Sequence, residues 1–435
     1  MMGSGNDIPS VFRTVEDVAS WRMCIGCGAC AYACPEQKVK LVNFVDQGIR
    51  PVLDDGPCSN GKCTDCLQVC PGIGASHDTA RFPQGVIPDL LESWGPVLEV
   101  WEGYPTDDAI RHLGSSAGMA TALSLFCVDT LGMRGAVHIE GDPDNPHLNR
   151  TVFSKTRQDL LQSTGSRYAP ASPCDRLDAI ENAGGAAVFI GKPCDIEALR
   201  KAQSIRPGLD KNVGVAIGIF CAGTPSTQGT LDLLRQHGIS PDDVDEVRYR
   251  GRGWPGHFAV RMKGETVWRD LATYAEAWGF LQAYRPYRCY LCPDGTSEFA
   301  DLSCGDPWYR AIEPGELGTS LIVVRTVKGR EIVQRARAAG AVKLLPVDPR
   351  VLVASQRELQ LKRGAIWART VTMRGLGAPA PRFSGFALFR NWLRLPYAHK
   401  VRSIVGTTRR VVARGYRRKD SYSRRDTHTP GRLKI

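Results

Sequence analysis

The chain has 435 residues, 43% of them hydrophobic and 23% charged, a globular composition at a length that predicts two or three domains. It contains no run of about 18 apolar residues, and its N-terminus lacks the basic start and apolar run of a signal peptide, which favours a cytoplasmic protein. The net charge of +11 is local, because residues 382–435 hold 15 Lys or Arg against two acids and the rest of the chain is close to neutral. That distribution argues against nucleic acid as a partner.

Fifteen cysteines are present, and eight of them lie between Cys24 and Cys70. Cytosolic thiols stay reduced, so thiols clustered in this way are expected to bind metal or act in redox chemistry rather than to form disulfides. After an N-terminal segment, residues 1–20, we therefore predict a compact cysteine-rich module over residues 21–74. Metal clusters would supply much of what a hydrophobic core supplies elsewhere.

Two cysteine runs in this module have ferredoxin spacing. Cys24 opens a C-x₂-C-x₂-C-x₃-C-P run, and Cys58 opens a second run in which the first gap is lengthened to four residues. In two-cluster ferredoxins the fourth cysteine of each run ligates the other cluster. The predicted ligands are Cys24, Cys27, Cys30 and Cys70 for the first 4Fe-4S cluster, and Cys34, Cys58, Cys63 and Cys66 for the second. The longer gap makes Cys58 the weakest of these candidates.

Residues 75–103, which contain several prolines and glycines, are predicted to be a connector. From residue 104 to residue 350 apolar runs alternate with helical periodicity, as in an α/β layer fold. Predicted strands cover residues 135–139, 186–190, 213–220, 320–325 and 342–347, and predicted helices cover 118–129, 226–237 and 329–339. The overall class is α/β (α+β overall), a small two-cluster module followed by a larger domain and a basic C-terminal extension over residues 351–435.

Four later cysteines form a second constellation. Cys194 and Cys221 each follow an apolar strand, at the end of the sheet where open α/β folds bind ligands, and Cys289 and Cys292 form a CxxC pair. A CxxC pair alone fits zinc or a redox disulfide as well as a cluster, and single cysteines after strands are commonly core residues. The four together favour a third 4Fe-4S cluster.

Several ordered segments resemble the family of beta subunits of the coenzyme F420 hydrogenases and dehydrogenases, which includes the 7-hydroxymethyl chlorophyll reductases. The matching segments cover residues 115–123, 166–170, 191–200, 249–256, 288–294 and 300–308. The resemblance implies an FAD in the larger domain beside at least one cluster. It also implies electron exchange with an organic two-electron donor or acceptor, which differs between family members.

The resemblance also implies roles for single residues. It places the third cluster on Cys194, Cys221, Cys289 and Cys292, with Cys174 and Cys304 in reserve. A small-residue turn into a helix suits a flavin diphosphate, although it can also be an ordinary helix start; its residues are Ser115, Ser116, Gly118 and Thr121.

Five further side chains are candidates for the flavin site. Arg167 and Lys192 could neutralise flavin phosphates or a reduced flavin ring, or could be solvated loop charges. Trp254 and His257 could stack on a flavin or an acceptor, or Trp254 could be a core residue. Asp306 could orient a ligand group or form an Asx turn before proline. No residue is assigned a catalytic role.

The C-terminal extension has its own signal. Apolar residues between 386 and 395 alternate with Arg390 and Arg394, and Pro396 ends the segment. A basic amphipathic helix of this kind is typical of a contact with an anionic membrane surface. The alternatives are a helix docked on the body with a disordered basic end, or a contact with an acidic redox partner.

The resulting hypothesis is an iron–sulfur flavoprotein oxidoreductase that relays electrons between 4Fe-4S clusters and FAD, and to or from an organic two-electron molecule such as the deazaflavin coenzyme or a nicotinamide. The alternatives are a non-catalytic electron-transfer subunit of a larger complex, and a flavin-free cluster protein. A redox partner protein is expected in either of the first two cases. The expected location is the cytoplasm, with the basic tail as a candidate contact to the inner face of the membrane.

Overall fold

The structure is a computed structural model that describes residues 11–54, 63–313 and 315–420 of the chain. Its β-strands are β1 (Val39–Phe44), β2 (Gly48–Leu53), β3 (Gly74–Ser76), β4 (Glu99–Pro105), β5 (Ala136–Gly141), β6 (Asn149–Ser154), β7 (Ala187–Gly191), β8 (Val213–Ile219), β9 (Val244–Arg248), β10 (His257–Met262), β11 (Trp268–Thr273), β12 (Leu302–Gly305), β13 (Ser320–Val324), β14 (Val342–Pro346) and β15 (Arg382–Ser384). Its α-helices are α1 (Val15–Ser20), α2 (Ala29–Ala33), α3 (Asp65–Gln68), α4 (Pro88–Trp94), α5 (Asp108–Leu113), α6 (Met119–Asp129), α7 (Arg157–Gln162), α8 (Leu177–Glu181), α9 (Pro193–Gln203), α10 (Pro207–Asn212), α11 (Thr227–Gln236), α12 (Tyr274–Leu281), α13 (Tyr287–Tyr290), α14 (Val327–Ala338), α15 (Arg350–Ser355), α16 (Arg357–Gly375), α17 (Leu388–Leu393) and α18 (Tyr397–Ala413).

The main sheet confirms the predicted α/β class. Its strand order is β14-β4-β13-β12-β8-β7-β5-β6, and β12, β8, β7 and β5 are mutually parallel. Successive side chains alternate between the two faces, so Val215 packs with α6 and α14 on one face while Ala216 packs with α8 and α9 on the other. Burial on both faces explains why the parallel strands have near-continuous apolar sequences. The predicted strands and helices of this domain lie within one to three residues of the observed bounds.

The segment predicted to be a connector, residues 75–103, differs from that prediction. It contains α4, whose Leu90 and Trp94 are buried, and most of β4, which lies between β13 and β14 in the main sheet. Glycine and proline in β4 mask its strand signal in the sequence. The pairing with β13 and β14 comes from residues more than 200 positions away, which a local pattern cannot reveal.

The N-terminal segment and the cysteine-rich module pack against helices and a strand from the C-terminal extension. Phe12, Val15 and Met23 share one hydrophobic cluster with Met373 of α16 and Val411 of α18. β3, at the end of the module, pairs in parallel with β15 of the C-terminal extension. The C-terminal extension therefore helps to hold the module in place.

A separate three-stranded antiparallel sheet, in the order β11-β10-β9, packs with α11 and α12 around Leu234, Val247, Phe258 and Leu281. The glycine-rich loop between β9 and β10 projects from this sheet. It carries Arg250 and Trp254 toward the end of β12, which makes the small sheet one wall of the region described below.

The predicted apolar segment near residue 390 is helical and docked. Trp392 of α17 lies 4.7 Å, between ring centroids, from Trp367 of α16, and Phe386 and Leu395 are buried. Residues 375–420 thus belong to the fold, which agrees with the alternative of a helix docked on the body. The basic residues after 420 lie outside the described part of the chain. Among the helices that are described, none is long and apolar enough to cross a membrane.

A buried polar network ties the three parts of the chain together. Glu298, in the loop before β12, pairs with Arg363 of α16 and lies 2.9 Å from the Nε2 of His77, which follows β3. His77 also stacks on Phe299 with 4.2 Å between ring centroids. Burial opposes ionisation of Glu298, but the charges of Arg363 and His77 outweigh it and lower the pKa of this carboxyl to about 2.

We expect Glu298→Gln to lower the free energy of unfolding by about 3 kcal/mol, because it leaves the Arg363 guanidinium buried without its counter-charge. Since the pKa of Glu298 is lowered from 4.5 to about 2, the carboxylate stabilises the fold fully above pH 4.5, and this stabilisation is lost as the pH falls toward 2. The difference between variant and wild type in thermal or urea unfolding should shrink over that range. Glu265→Gln, which removes an exposed pair with Arg269, is the matched control and should cost less than about 1 kcal/mol.

Candidate iron–sulfur and flavin site

The first cysteine group lies between α2, α3 and the main domain. Cys24 and Cys27 precede α2, Cys30 lies at its start, and Cys70 follows α3. The other three thiols lie close enough to Cys30 to raise its pKa. Burial, followed by the neighbouring thiols, raises the pKa of Cys70 to about 12. Thiols packed this closely in an apolar interior can ionise only with a cation or cluster among them. Cys30 thus lies near three members of the predicted crossed set and also near Cys66 of the predicted second set, and the crossed ligation stays a prediction.

Backbone geometry shapes this group. Gly26 and Gly28 have φ values of 75° and 90°, and a Cβ on Gly28 would lie 2.8 Å from the backbone nitrogen of Asp175. The Gly26 N–H donates to the Cys24 sulfur at 3.3 Å. Glycine is therefore needed both for the left-handed turn and for the close approach of the loop to the main domain.

Three other predicted ligands are also in the module. Cys34 is buried, and Cys63 and Cys66 are partly buried. The pKa of Cys30 is raised first by burial and then by the neighbouring thiols, Cys66 among them, so the two sets of thiols lie close to each other. Cys58, the fourth member of the predicted second set, lies outside the described residues.

The four later cysteines converge on one cavity. Cys194, at the start of α9, and Cys221, after β8, meet Cys289 and Cys292 from α13 and its C-terminal end, and all four line the same cavity with Lys192. Burial raises the pKa of Cys194 and raises that of Cys221 to about 12. The cavity lies at the carboxyl ends of β7 and β8, where the sequence predicted a ligand site.

The two cysteines kept in reserve have different positions. Cys304 is buried inside β12 in the hydrophobic core. Cys174 packs against the first group: its N–H donates to the Cys27 carbonyl at 2.9 Å, and its thiol, hydrogen-bonded to the Cys27 sulfur, lowers the Cys27 pKa.

Lys192, Asp195 and Arg288 lie between the first cysteine group and the later four, and we call these residues the wall. Asp195 accepts from Lys192 Nζ with both oxygens at 2.8 Å, and its carbonyl oxygen is 3.4 Å from the Cys174 sulfur. Arg288, which precedes Cys289, donates to the Pro71 carbonyl at 2.8 Å. Pro71 follows Cys70 directly. The hydrogen bond between Arg288 and Pro71 therefore joins the residue before Cys289 to the residue after Cys70.

Among the described residues, no three His, Cys, Asp or Glu side chains are close enough to hold a single metal ion. Both groups nevertheless bring four thiols toward one space. Thiols that surround a 4Fe-4S cube stand further apart than the ligands of one zinc ion, because each binds a different iron.

The predicted flavin turn has an unusual backbone. Ser116, Ala117 and Gly118 all have positive φ values, of 47°, 54° and 73°, and α6 begins after Gly118 without a side-chain cap. An uncapped start of an 11-residue helix suits a phosphate. Thr121, one turn into α6, is within 3.3 Å of the Thr164 hydroxyl. The turn has the backbone form of an anion-binding helix start, and its role at a flavin stays a prediction.

Neither of the two predicted cations, Arg167 and Lys192, lies at the Ser115–Gly118 turn. Arg167 donates to Val247 O at 2.9 Å and to Pro146 O at 2.8 Å, and its remaining donors bind Asn149 and Leu148. Its guanidinium is used to hold loops of the protein. Lys192 belongs to the later cysteine cavity, and β8 and β12 separate its strand from β13, where Ser320 contacts Ser116. A role for either cation at the flavin phosphates therefore has no support in the geometry.

Asp306, which follows β12, accepts hydrogen bonds from two side chains of the glycine-rich loop, and only one of them was a candidate from the sequence. Arg250 donates to both Asp306 oxygens at 2.7 and 2.8 Å, and the Trp254 indole donates to one of them at 2.7 Å. Trp254 also stacks on Trp308 with 5.5 Å between ring centroids. Asp306 thus anchors the glycine-rich loop, and Arg250 was missed although its motif, residues 249–256, was singled out.

His257 is half-exposed on β10, and its Nδ1 is 3.8 Å from Asp270. It lies on the small sheet away from the cavity lining. His257 therefore lies apart from the cysteine cavity, and its contact with a flavin or an acceptor stays a prediction.

Comparison with known proteins agrees with this arrangement. Two family models for the beta subunit of coenzyme F420 hydrogenase/dehydrogenase match the chain, the N-terminal model over residues 100–177 and the C-terminal model over residues 185–350. Residues 19–37 match a 4Fe-4S binding domain. The chain belongs to the family of coenzyme F420 hydrogenase/dehydrogenase beta subunits.

Relatives in this family include the coenzyme F420-dependent sulfite reductase of Methanocaldococcus jannaschii, 24% identical over 80% of this chain and 50% of the relative. The chain thus spans about half the length of that relative. The coenzyme F420 hydrogenase subunit beta of Methanococcus voltae is 25% identical over 63% of this chain and 95% of the relative. A chain of the F420-reducing [NiFe] hydrogenase complex from Methanosarcina barkeri, 23% identical, has the same fold, with a TM-score of 0.54 over 67% of this chain and 97% of that one.

The chain is thus a member of this beta-subunit family whose N-terminal module matches a 4Fe-4S binding domain. The first cysteine run lies within the matched 4Fe-4S domain, and the later four cysteines lie within the region matched by the C-terminal model.

The geometry predicts that Cys70→Ala and Cys27→Ala remove the same cluster, because the two thiols share one group although they belong to different runs. Each variant should lose up to about four irons per chain and the same component of the EPR spectrum of the reduced protein. Cys63→Ala should remove a different component. Cys127→Ala, which alters a buried thiol in the core of the main sheet, is the control and should keep the full iron content. A Cys70→Ala spectrum that matches that of Cys63→Ala would contradict the crossed arrangement.

Proposed function

We propose that the chain is an iron–sulfur flavoprotein oxidoreductase, which relays electrons between 4Fe-4S clusters and FAD and exchanges them with an organic two-electron molecule. The observation that carries this proposal is the shared wall between the two cysteine groups. One group lies in a ferredoxin-like module and the other at the ligand-binding edge of the main sheet. Two redox centres held on opposite sides of one rigid wall suit electron transfer.

The proposed ligands follow from the two groups. The first cluster would be held by the crossed set around Cys70, and the third by the four thiols around Cys194. The second would use Cys34, Cys63 and Cys66 with Cys58, which lies outside the described residues. Cys174, hydrogen-bonded to Cys27, acts on a ligand and is not proposed as one.

The proposed FAD would lie with its diphosphate at the Ser115–Gly118 turn. A bound FAD supplies the step between one-electron and two-electron chemistry. The chain's own contribution is to hold the turn. Ser115 accepts from the Ser166 N–H at 2.7 Å. Asp306, which is fixed by Arg250 and Trp254, accepts from the Ser116 hydroxyl. These contacts fix the turn and the glycine-rich loop relative to each other.

The deazaflavin coenzyme is the preferred two-electron molecule, because the M. jannaschii and M. voltae relatives are both named for coenzyme F420. A nicotinamide is the alternative. The expected location is the cytoplasm.

A second candidate function is electron transfer within a complex in which the substrate site belongs to a partner protein. The names of two relatives favour it, since both proteins are subunits, one of the M. voltae coenzyme F420 hydrogenase and the other of the F(420)H(2) dehydrogenase of Methanosarcina mazei.

Anaerobic purification followed by iron, sulfide and flavin analysis tests the proposal. We expect about twelve irons and about one FAD per chain, and bleaching of the flavin absorbance on addition of reduced coenzyme F420. Full clusters without flavin, and without reduction by the coenzyme, would favour the second candidate function. Zinc in place of iron would contradict both.

The wall residue Asp195 offers a test of electron relay. Its charge opposes ionisation of both Cys27 and Cys194, so it acts on both cysteine groups. Asp195→Asn removes a negative charge beside both groups, and reduction adds one, so both reduction potentials should rise, by on the order of 50 mV. An EPR-monitored redox titration measures the shift.

Asp270→Asn, on the exposed face of the small sheet, is the charge-matched control and should leave the potentials unchanged. A rise confined to one cluster in Asp195→Asn would show that Asp195 does not lie between two centres.

A further inference from the structure

Helix α18 is docked by its polar side. Ser403 and Thr407 are buried; Ser403 accepts from the Trp392 indole at 3.3 Å, and the Thr407 hydroxyl donates to the Ser403 carbonyl at 2.7 Å. Small polar residues one turn apart let α18 pack closely on the body. Of the inward-facing residues, Val411 is the large apolar one.

The apolar residues of α18 face outward instead. Tyr397, Val405 and Val412 are 82%, 60% and 59% exposed, and Val401 and Ile404 are also exposed. Their spacing of four, seven, eight and fifteen residues from Tyr397 places them on one helix face. A globular surface helix normally turns such a stripe toward the core. Here the stripe is left in water.

The preceding helix also exposes apolar residues. Phe389 and Leu393 of α17 are about half exposed, although their neighbour Trp392 packs on Trp367. We call the seven exposed residues the α17–α18 surface: Phe389, Leu393, Tyr397, Val401, Ile404, Val405 and Val412.

The charge around this surface has one sign. Residues 388–419 contain ten Lys or Arg and no Asp or Glu. Arg390 and Arg394 pair with Glu92 from α4, and Lys419 pairs with Asp17 from α1. Arg402 and Arg409, which flank the apolar stripe on α18, are exposed and form no ion pair within the described residues.

We propose that the α17–α18 surface docks on an anionic lipid surface, with its apolar residues at the acyl boundary and its cations at the headgroups. This goes beyond the proposed redox function and does not depend on it. An apolar stripe flanked by cations is the physical form of an interfacial helix. No described helix could span the bilayer, so the contact would be peripheral.

The charge argues against a second copy of the chain as the occupant. A two-fold interface pairs the same patch with itself, so Arg402 and Arg409 of both copies would be brought together without acids to compensate them. Anionic lipid supplies the missing negative charge.

Co-sedimentation of the full-length holoprotein with vesicles tests the proposal. Vesicles rich in phosphatidylglycerol should bind the protein, pure phosphatidylcholine vesicles should bind it far less, and added salt should weaken binding. Arg402→Gln with Arg409→Gln should weaken binding about twenty-fivefold, at about fivefold per cation. Val405→Glu should weaken it about tenfold or more.

Leu345→Glu is the matched control, because Leu345 on β14 is 73% exposed and lies outside the surface. It should bind as wild type does. Iron content and unfolding temperature equal to wild type show that each variant is folded.

Three results would overturn the proposal: no binding of the wild type to anionic vesicles, equal binding by Val405→Glu and wild type, or a loss in Leu345→Glu as large as that in Val405→Glu. A concentration-dependent dimer that Val405→Glu dissociates, without vesicle binding, would assign the surface to a second copy instead.

Discussion

The burial of many thiols next to one another is the constraint on which the structure depends. In an apolar interior a thiolate is costly, and several adjacent thiolates are more so. Burial raises the pKa of Cys70 in the first group and of Cys194 in the second. Iron–sulfur clusters remove that cost by binding the thiolates.

The surrounding polar residues can be understood from the same constraint. Lys192 is a buried cation beside the Cys194 cavity, and Asp195 is its counter-ion on the side of Cys27. Arg288 brings a third buried charge to the loop after Cys70. On the far side of the module, the Glu298 network connects α16 to the residue after β3. The wall between the two cysteine groups is thus held by ionic contacts as well as by packing.

The sequence predicted what depends on local spacing and missed what depends on distant partners. The ferredoxin run and the cysteines after β7 and β8 could be located because spacing and strand ends are local features. Strand β4 was missed because its partners lie at the other end of the chain. Arg167 was expected at a flavin, but four carbonyl and amide oxygens from distant loops bind it. Arg250 was overlooked because its importance comes from Asp306, 56 residues away.

The C-terminal helices show a different limit. An amphipathic sequence reveals that a helix has two faces, but not which face meets the protein. In α18 the small polar face is inward, where Ser403 accepts from the Trp392 indole of α17, and the apolar face is left to solvent. Each exposed apolar side chain costs free energy in water that burial would recover. A helix that retains five of them, with cations alongside, is better suited to a second apolar phase than to the core.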